Sequence, residues 1–571
     1  MDCFHAFKTP GLAHTAYFIA SQGAGILVDP RRDVGEYVDF AMDCGASISH
    51  VLQTHRQEDF VMGSAALKAL GAATVAGAHS NSRYCDKQMQ DGEKMTIGGL
   101  VVTCLATPGH TPESVCFALA QKDYPERAWC VFSGDTLLLG DTGRADLTAE
   151  EAGECAGQMW DAVRQKLAPL GDSCLVFPAH TAGSACAAGG LSKFDQSTIG
   201  YERLYNKAFT LSCEAFMAYK RSEALPRPPH FAQMEKANLR GGTAMPLLTA
   251  APLSPQAFSK EAQAGVIIDT RAPETFASGH LPRSFRWEVL LLLLLLCVCS
   301  ARFIERCASL WLEGLPLYAS YIAPENKLVY LVLERREDLP TALLHLARIG
   351  CDTVAGVLAG GFEAWRDAGM PVERTAVITA PELAAQSPQL PVLDVRTAPE
   401  YRQGHIEGAK HLFCGEVGSH MAEVALVAKR DEPIAVICSV GNRGSLAASV
   451  LQRQGYTSVR NVVGGMEAWQ RQGLPVVEGE PKANTPHPGV FRKQEDKADK
   501  MLADSVVSVP KMLESKAQSM ENKATTTFKQ PPLTPMPQCK TDKGRQPPKP
   551  RVPASALSSL PASADDSPSR Y

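Results

Sequence analysis

One stretch of this chain is repeated further along it, and that repeat constrains the fold more than any other feature. Ile268-Asp269-Thr270-Arg271 followed by Gly279-His280-Leu281 recurs as Leu393-Asp394-Val395-Arg396 and Gly404-His405-Ile406, 125 residues later. The closing half, Gly360-Gly361-Phe362-Glu363-Ala364-Trp365, recurs as Gly464-Gly465-Met466-Glu467-Ala468-Trp469, only 104 residues later. Repetition at this length means two copies of one folding unit in tandem. The first copy carries 21 extra residues, and a tract of seven leucines within Val289 to Cys299 lies where they must sit. Eleven apolar residues span about half of a bilayer core, which needs roughly twenty. With Arg286, Glu288 and Arg302 close by, the tract reads as a low-complexity insertion and not as a membrane anchor.

The two copies differ in chemistry. The second holds Cys438-Ser439-Val440-Gly441-Asn442-Arg443-Gly444-Ser445 between an apolar run, Pro433 to Ile437, and a helical stretch, Leu446 to Gln454. A cysteine at such a strand-loop-helix turn meets backbone N–H groups and the positive end of a helix dipole. Arg443 adds a full charge, and the thiolate is favoured there. In the first copy, counting back from the double glycine places Glu334 at the position of Cys438 and Leu339 at that of Arg443. That copy is expected to hold no thiolate and to serve as structure or as a partner surface.

A second constellation lies before the repeat. His55, Gln57 and Asp59 follow the apolar strand His50-Val51-Leu52-Gln53; Pro108-Gly109-His110, Ser133-Gly134-Asp135 and Pro178-Ala179-His180 each follow another β-rich run. Polar residues at successive strand ends converge on one edge of a sandwich, and imidazoles with a carboxylate there make a prospective metal site.

Composition bounds the rest. At 571 residues the chain is long enough for three or four domains. With 45% apolar and 21% charged residues it has ordinary globular composition, and a net charge of −4 argues against a nucleic-acid partner. Seventeen cysteines without framework spacing favour free thiols in a reducing compartment. With no secretory or Arg-rich presequence, a cytoplasmic location is expected, with the mitochondrion as the alternative. Fourteen of the 39 prolines fall after Val477, so a disordered C-terminal tail is expected over residues 479–571.

The DxR, GHI, CxxGxR and GG…W order of the second copy resembles the rhodanese (sulfurtransferase) family, and the first copy resembles it in degenerate form. This implies that Cys438 accepts a sulfane sulfur as a persulfide, from thiosulfate or glutathione persulfide, and passes it to a nucleophile. It also implies that the six residues from Cys438 to Arg443, Gly441 and Asn442 among them, would form a cradle for the anionic sulfur. The N-terminal order resembles the metallo-β-lactamase fold, although the usual HxHxDH motif reads His55-Arg56-Gln57-Glu58-Asp59-Phe60. Gly143-Arg144-Ala145-Asp146, Leu211-Ser212-Cys213-Glu214-Ala215-Phe216 and Ala237-Asn238-Leu239-Arg240-Gly241 resemble one branch of that superfamily, the persulfide dioxygenases. The resemblance implies one iron(II) held by His55, His110 and Asp135, a facial triad with open positions for substrate and O₂. Asp59, His180 and Gln57 would then lie outside the ligand set, orienting ligands and water, and Arg144 would meet a glutathione carboxylate. The implied reaction is oxidation of glutathione persulfide to sulfite, with thiosulfate arising if Cys438 passes sulfur to that sulfite. A sulfurtransferase with a metal-free N-terminal domain, and a zinc thioester hydrolase of the glyoxalase II type, are the alternatives.

The expected architecture is therefore multidomain α/β. An N-terminal αββα sandwich covers residues 1–245, a degenerate rhodanese domain 246–375, an active-type rhodanese domain 376–478, and the tail the remainder.

Overall fold

The computed structural model describes residues 1–80, 82, 84–147, 152–187, 191, 192, 194, 196–282 and 307–480. The leucine tract and the tail beyond residue 480 lie outside the described residues.

Two six-stranded sheets form the N-terminal part. The first runs in sequence order from Cys3–Thr9 through His14–Ser21, Ala24–Val28, Ser47–Leu52 and Ala73–Gly77 to Lys87–Met89. The second places Leu175–Pro178, Ala128–Gly134, Val115–Gln121 and Leu100–Ala106 side by side, flanked by Ser197–Thr198 and Lys94–Ile97. Side chains alternate across a strand, and the cores follow that period. Tyr17, Ile19, Ile26 and Val28 meet Val102, Phe117, Leu119 and Phe132 between the sheets. Their neighbours Phe18, Leu27 and Val51 point the other way, onto Tyr37 and Ala41 of the helix Gly35–Asp43. On the far side Cys116, Ala118, Val131 and Val176 pack on Ala156 and Met159 of the helix Ala152–Ala162. Helix, sheet, sheet, helix is the resulting order of layers.

Each repeat builds a five-stranded, parallel sheet of one topology. In the first, Val266–Asp269 lies between Val329–Val332 and Ala308–Ser309; in the second, Val392–Asp394 lies between Ile434–Ile437 and Lys410–His411. The repeated motifs do the same work twice. Asp269 holds Arg271, which donates to the carbonyl of Gly279 at 2.8 Å, and Asp394 holds Arg396, which donates to that of Gly404 at 2.8 Å. Trp365 and Trp469 each donate through Nε1 to a proline carbonyl six residues on.

The described residues up to 480 share extensive interfaces. Ser309 donates its N–H to Ser449 Oγ, and its hydroxyl lies 2.8 Å from that of Ser445, joining the two repeats. Arg32 reaches Asp352, and Arg348 reaches Asp33 at 2.7 Å, joining the sandwich to the first repeat. One apolar core contains Leu12, Phe60 and Met62 of the sandwich together with Leu315, Leu346 and Leu446 of the repeats. Cys3 and Cys44, expected as free thiols, are joined in a disulfide with Cα atoms 6.4 Å apart; the other described cysteines form no disulfide. No helix among the described residues is long and apolar enough to cross a membrane.

Candidate functional site

His55, His110, Asp135 and His180 all sit just past the C-terminal ends of strands, on one edge of the sandwich. His55, His110 and Asp135 come together, all buried, with one potential ligand atom from each within 4.8 Å of the others. The approach of the strand ends depends on Gly134. Its φ is +53°, and a Cβ there would stand 2.6 Å from Thr54 Oγ1 and 3.3 Å from His55 Nδ1, so only glycine fits.

Each imidazole is oriented from behind. His110 Nδ1 donates to the backbone carbonyl of Arg144 at 2.9 Å, which leaves Nε2 facing the cluster. His55 Nδ1 lies 2.8 Å from Thr54 Oγ1, and Asp29 in turn accepts from the Thr54 N–H and hydroxyl. Burial pushes Asp29 up to about 7 despite those two bonds. His55 Nε2 and His110 Nε2 are both buried without a hydrogen-bond partner. Such orphaned acceptors are costly in a protein interior, and two of them beside a carboxylate fit a bound cation.

Around this cluster stands a relay of outer residues. His180 Nδ1 lies 2.8 Å from Asp135 Oδ1, and its Nε2 lies 2.9 Å from Asp59 Oδ2. Burial works against a charged His180, yet the two carboxylates raise its pKa well above the ordinary value. Burial, with a smaller push from His110 and His180, pulls His55 down to about 4 against the opposing charges of Asp135 and Glu58.

Gln57, expected outside the ligand set, is buried, and neither atom of its amide has a hydrogen-bond partner. Two expectations from sequence need correction. Arg144 was expected at a substrate carboxylate. Its guanidinium is buried and fully engaged, with Asp146 in a two-point contact and the carbonyls of Ala185, Leu225 and Pro226. Its contribution is the backbone carbonyl that orients His110. Glu334 was placed opposite Cys438, but sheet register gives a different answer. Asp269 pairs with Val332 and Asp394 with Ile437, so Leu333 stands where Cys438 does. One extra residue precedes Gly360, which is why counting back from the glycines slipped. Leu333 is buried and offers no thiol.

Cys438 itself lies buried at the end of Ile434–Ile437, before the helix Asn442–Arg453. Gly441, with φ +116°, turns its N–H onto Cys438 Sγ at 3.0 Å. Asn442 opens the helix, half-buried. The carbonyls of Cys438 and Ser439 accept from the N–H groups of Met466 and Glu467, so the double-glycine turn buttresses the loop. Arg443, expected to supply charge to the sulfur, instead makes a two-point pair with Glu400, both contacts 2.7 Å, and donates to Ser439 Oγ. Glu400 also accepts from Ser439 and from the Thr397 N–H and hydroxyl. Burial would raise its pKa, but Arg443 and Thr397 hold the carboxyl well below the usual carboxylate range.

A rhodanese-like domain model matches residues 254–368 and 379–472. Over its N-terminal region the chain is 30% identical across 224 residues to the persulfide dioxygenase ETHE1 of human mitochondria, covering 39% of this chain and 80% of that protein. The chain belongs to the persulfide dioxygenase family. It joins a metallo-β-lactamase-type sandwich of that family to rhodanese domains, which makes it a sulfur-handling enzyme. Among solved structures, a metallo-β-lactamase from Staphylococcus aureus matches with a TM-score of 0.53 at 25% identity, over 62% of this chain and 98% of that one. A hydroxyacylglutathione hydrolase from Rhodospirillum rubrum is 30% identical over 161 residues, 28% of this chain and 57% of that enzyme.

Sequence reasoning missed four residues at or near the site. Asp29 and Thr54 carry no motif and reach His55 only through the sheet. Cys186 has a potential ligand atom within 4.8 Å of those of Asp59 and His180. Glu58 lies inside the first motif, at a position for which the family pattern names no role, and it points inward.

Proposed function

We propose that this chain oxidises glutathione persulfide to sulfite at a single iron(II) held by His55, His110 and Asp135, and that Cys438 carries sulfane sulfur. The balance is one persulfide, one O₂ and one water giving glutathione, sulfite and two protons. The observation that carries the reading is the approach of buried His55, His110 and Asp135, one potential ligand atom of each within 4.8 Å of the others, with His55 Nε2 lacking any hydrogen-bond partner. Two imidazoles and a carboxylate suit a non-haem ferrous ion that activates O₂. The residues around it position rather than react. Asp29 through Thr54 fixes the His55 ring, the Arg144 carbonyl fixes His110, and His180 holds Asp135 from behind.

Phe60 and Gln57 weigh against a two-zinc thioester hydrolase, because both replace histidines of the HxHxDH pattern that two metals would need. At the other site the Gly441 N–H and the helix start supply the hydrogen-bonding environment for a persulfide on Cys438. Metal analysis with O₂ uptake on glutathione persulfide tests the whole reading. His55→Ala and Asp135→Ala are expected to lose bound iron and O₂ consumption while sulfur transfer continues. About one zinc and no iron per chain, with thioester hydrolysis and no O₂ uptake, overturns it.

A further inference from the structure

We infer that Lys220 is a positioning residue for this metal centre: its buried ammonium fixes the loop from Asp141 to Arg144, whose backbone in turn holds Asp135 and His110. The inference rests on the proposed metal site and concerns what keeps two of its three residues in place.

Lys220 lies on the helix Cys213–Ser222, and its side chain is 1% exposed. The ammonium donates to the carbonyl of Thr142 at 3.2 Å and to Glu223 Oε1 at 2.9 Å, and it stands 3.7 Å from Asp141 Oδ1. Asp141 also accepts from the Thr142 N–H at 2.8 Å, from Lys207 at 3.4 Å and from the Tyr219 hydroxyl. Burial would raise the Asp141 pKa, but Lys220 and Lys207 outweigh it and hold the carboxyl below its ordinary value. Asn206 Nδ2 donates to the Asp141 carbonyl at 2.8 Å, which ties down the start of the loop.

All four loop residues are buried, and the loop presses against the metal cluster. A Cβ on Gly143 would stand 2.6 Å from the Asp135 carbonyl oxygen and 3.0 Å from His110 Nδ1. The Gly143 N–H donates to that carbonyl at 2.8 Å, and Arg144 offers the carbonyl to which His110 Nδ1 donates at 2.9 Å. Two adjacent loop residues therefore set one imidazole and the backbone of the carboxylate. The Arg144 guanidinium secures the far end of the loop through Asp146 and three carbonyls. Lys220 secures the near end, one residue before Gly143. A buried ion pair contributes little net stability, because desolvation offsets the attraction; what this one fixes is direction. Outer contacts that orient metal ligands typically cost about 10–100-fold in metal affinity when lost.

The test uses full-length protein, stripped of metal and loaded anaerobically, as wild type, Lys220→Met, and a neutral triple variant that adds Asp141→Asn and Glu223→Gln. The triple variant leaves no unbalanced charge in the cluster, so it carries the test if Lys220→Met does not fold. Phe258→Ala, in the core of the first repeat, is the control for lost stability alone. Chelator competition gives Fe(II) affinity, and the downfield imidazole N–H signals of the cobalt(II)-loaded protein report the His110 Nδ1–H. Circular dichroism shows which variants are folded. Both Lys220 variants are expected to bind Fe(II) about ten- to a hundredfold more weakly and to shift or lose one N–H signal, while Phe258→Ala matches wild type in both. Wild-type affinity and signals in a folded Lys220 variant, or an equal loss in Phe258→Ala, overturn the role of Lys220 and leave the three-residue site standing. A wild-type protein that binds no Fe(II) overturns the site itself, and the role of Lys220 with it.

Discussion

The pair between Arg443 and Glu400 separates two ways in which an arginine can serve the sulfur loop. If its charge acts on the sulfur directly, releasing it from Glu400 should speed transfer. If it braces the loop, releasing it should slow transfer. The geometry favours the brace: both guanidinium contacts are 2.7 Å, and Ser439, one residue after the cysteine, is tied to both partners. Side-chain exposure is 14% for Arg443 and 28% for Glu400. Breaking a fully buried pair by removing one partner costs about 3–5 kcal/mol, whereas exposed pairs contribute about 0–1 kcal/mol. At this exposure about 2 kcal/mol is expected. Were all of it to appear as lost order in the reactive loop, transfer would slow by roughly thirtyfold. Glu400→Gln and Arg443→Ala should therefore both slow single-turnover sulfur transfer from thiosulfate, by about ten- to thirtyfold. The double variant should do no worse than either single one, since the two act as a unit. Faster transfer in Glu400→Gln would refute the brace and restore the direct role of the charge.

Other expectations follow from individual residues. Cys438→Ser should abolish thiocyanate and thiosulfate formation, because a hydroxyl cannot carry sulfane sulfur; a normal rate would mean that another cysteine carries it. The depressed pKa of Glu400 contributes stability above its unfolded value of about 4.5 that is lost as pH falls, so acid unfolding of the second repeat should begin below that pH in wild type and flatten in Glu400→Gln. Phe60→Ala should cost about 3 kcal/mol or more of stability, the usual range for emptying a buried aromatic site, measured by denaturant unfolding; Phe60 is fully buried in the core shared by the sandwich and the repeats.

What the sequence disclosed depended on whether a residue acts through local pattern or through a distant partner. Strands such as His14–Ser21 were readable as continuous apolar runs, buried on both faces, while the layer order came from the family resemblance; the repeats were readable because Asp394 and Arg396 bond within one turn. Strand ends pointed to polar residues meeting on one edge of the sandwich, and the choice of His55, His110 and Asp135 among them came from the family resemblance. Local pattern failed where the partner was remote. Arg443 and Glu400 are 43 residues apart, so the charge visible in the loop gave no sign that it was already matched. Nothing near Arg144 in sequence showed that its guanidinium is already engaged, because its carbonyl partners come from residues 185, 225 and 226. Glu334 lies one residue past the Cys438 position because the stretch before the double glycine is one residue longer in the first copy; only the hydrogen-bond register fixes the alignment.

The departures from the HxHxDH pattern share a structural logic. Phe60, where the pattern has its last histidine, faces Leu12 and the first repeat rather than the metal cluster, with its ring 4.3 Å from that of His14. The next residue, Val61, donates its N–H to the Arg348 carbonyl of that repeat at 2.7 Å. A histidine at position 60 would put a polar ring into an apolar core at a cost that packing there does not offset. One end of the motif loop thus faces the cluster through His55 and Glu58, while the other binds the repeat through Phe60 and Val61. Asn238 holds both ends by bonding the carbonyls of Gln57 and Phe60. Docking of the repeat and placement of Glu58 are consequently set by a single six-residue turn, and displacing one displaces the other.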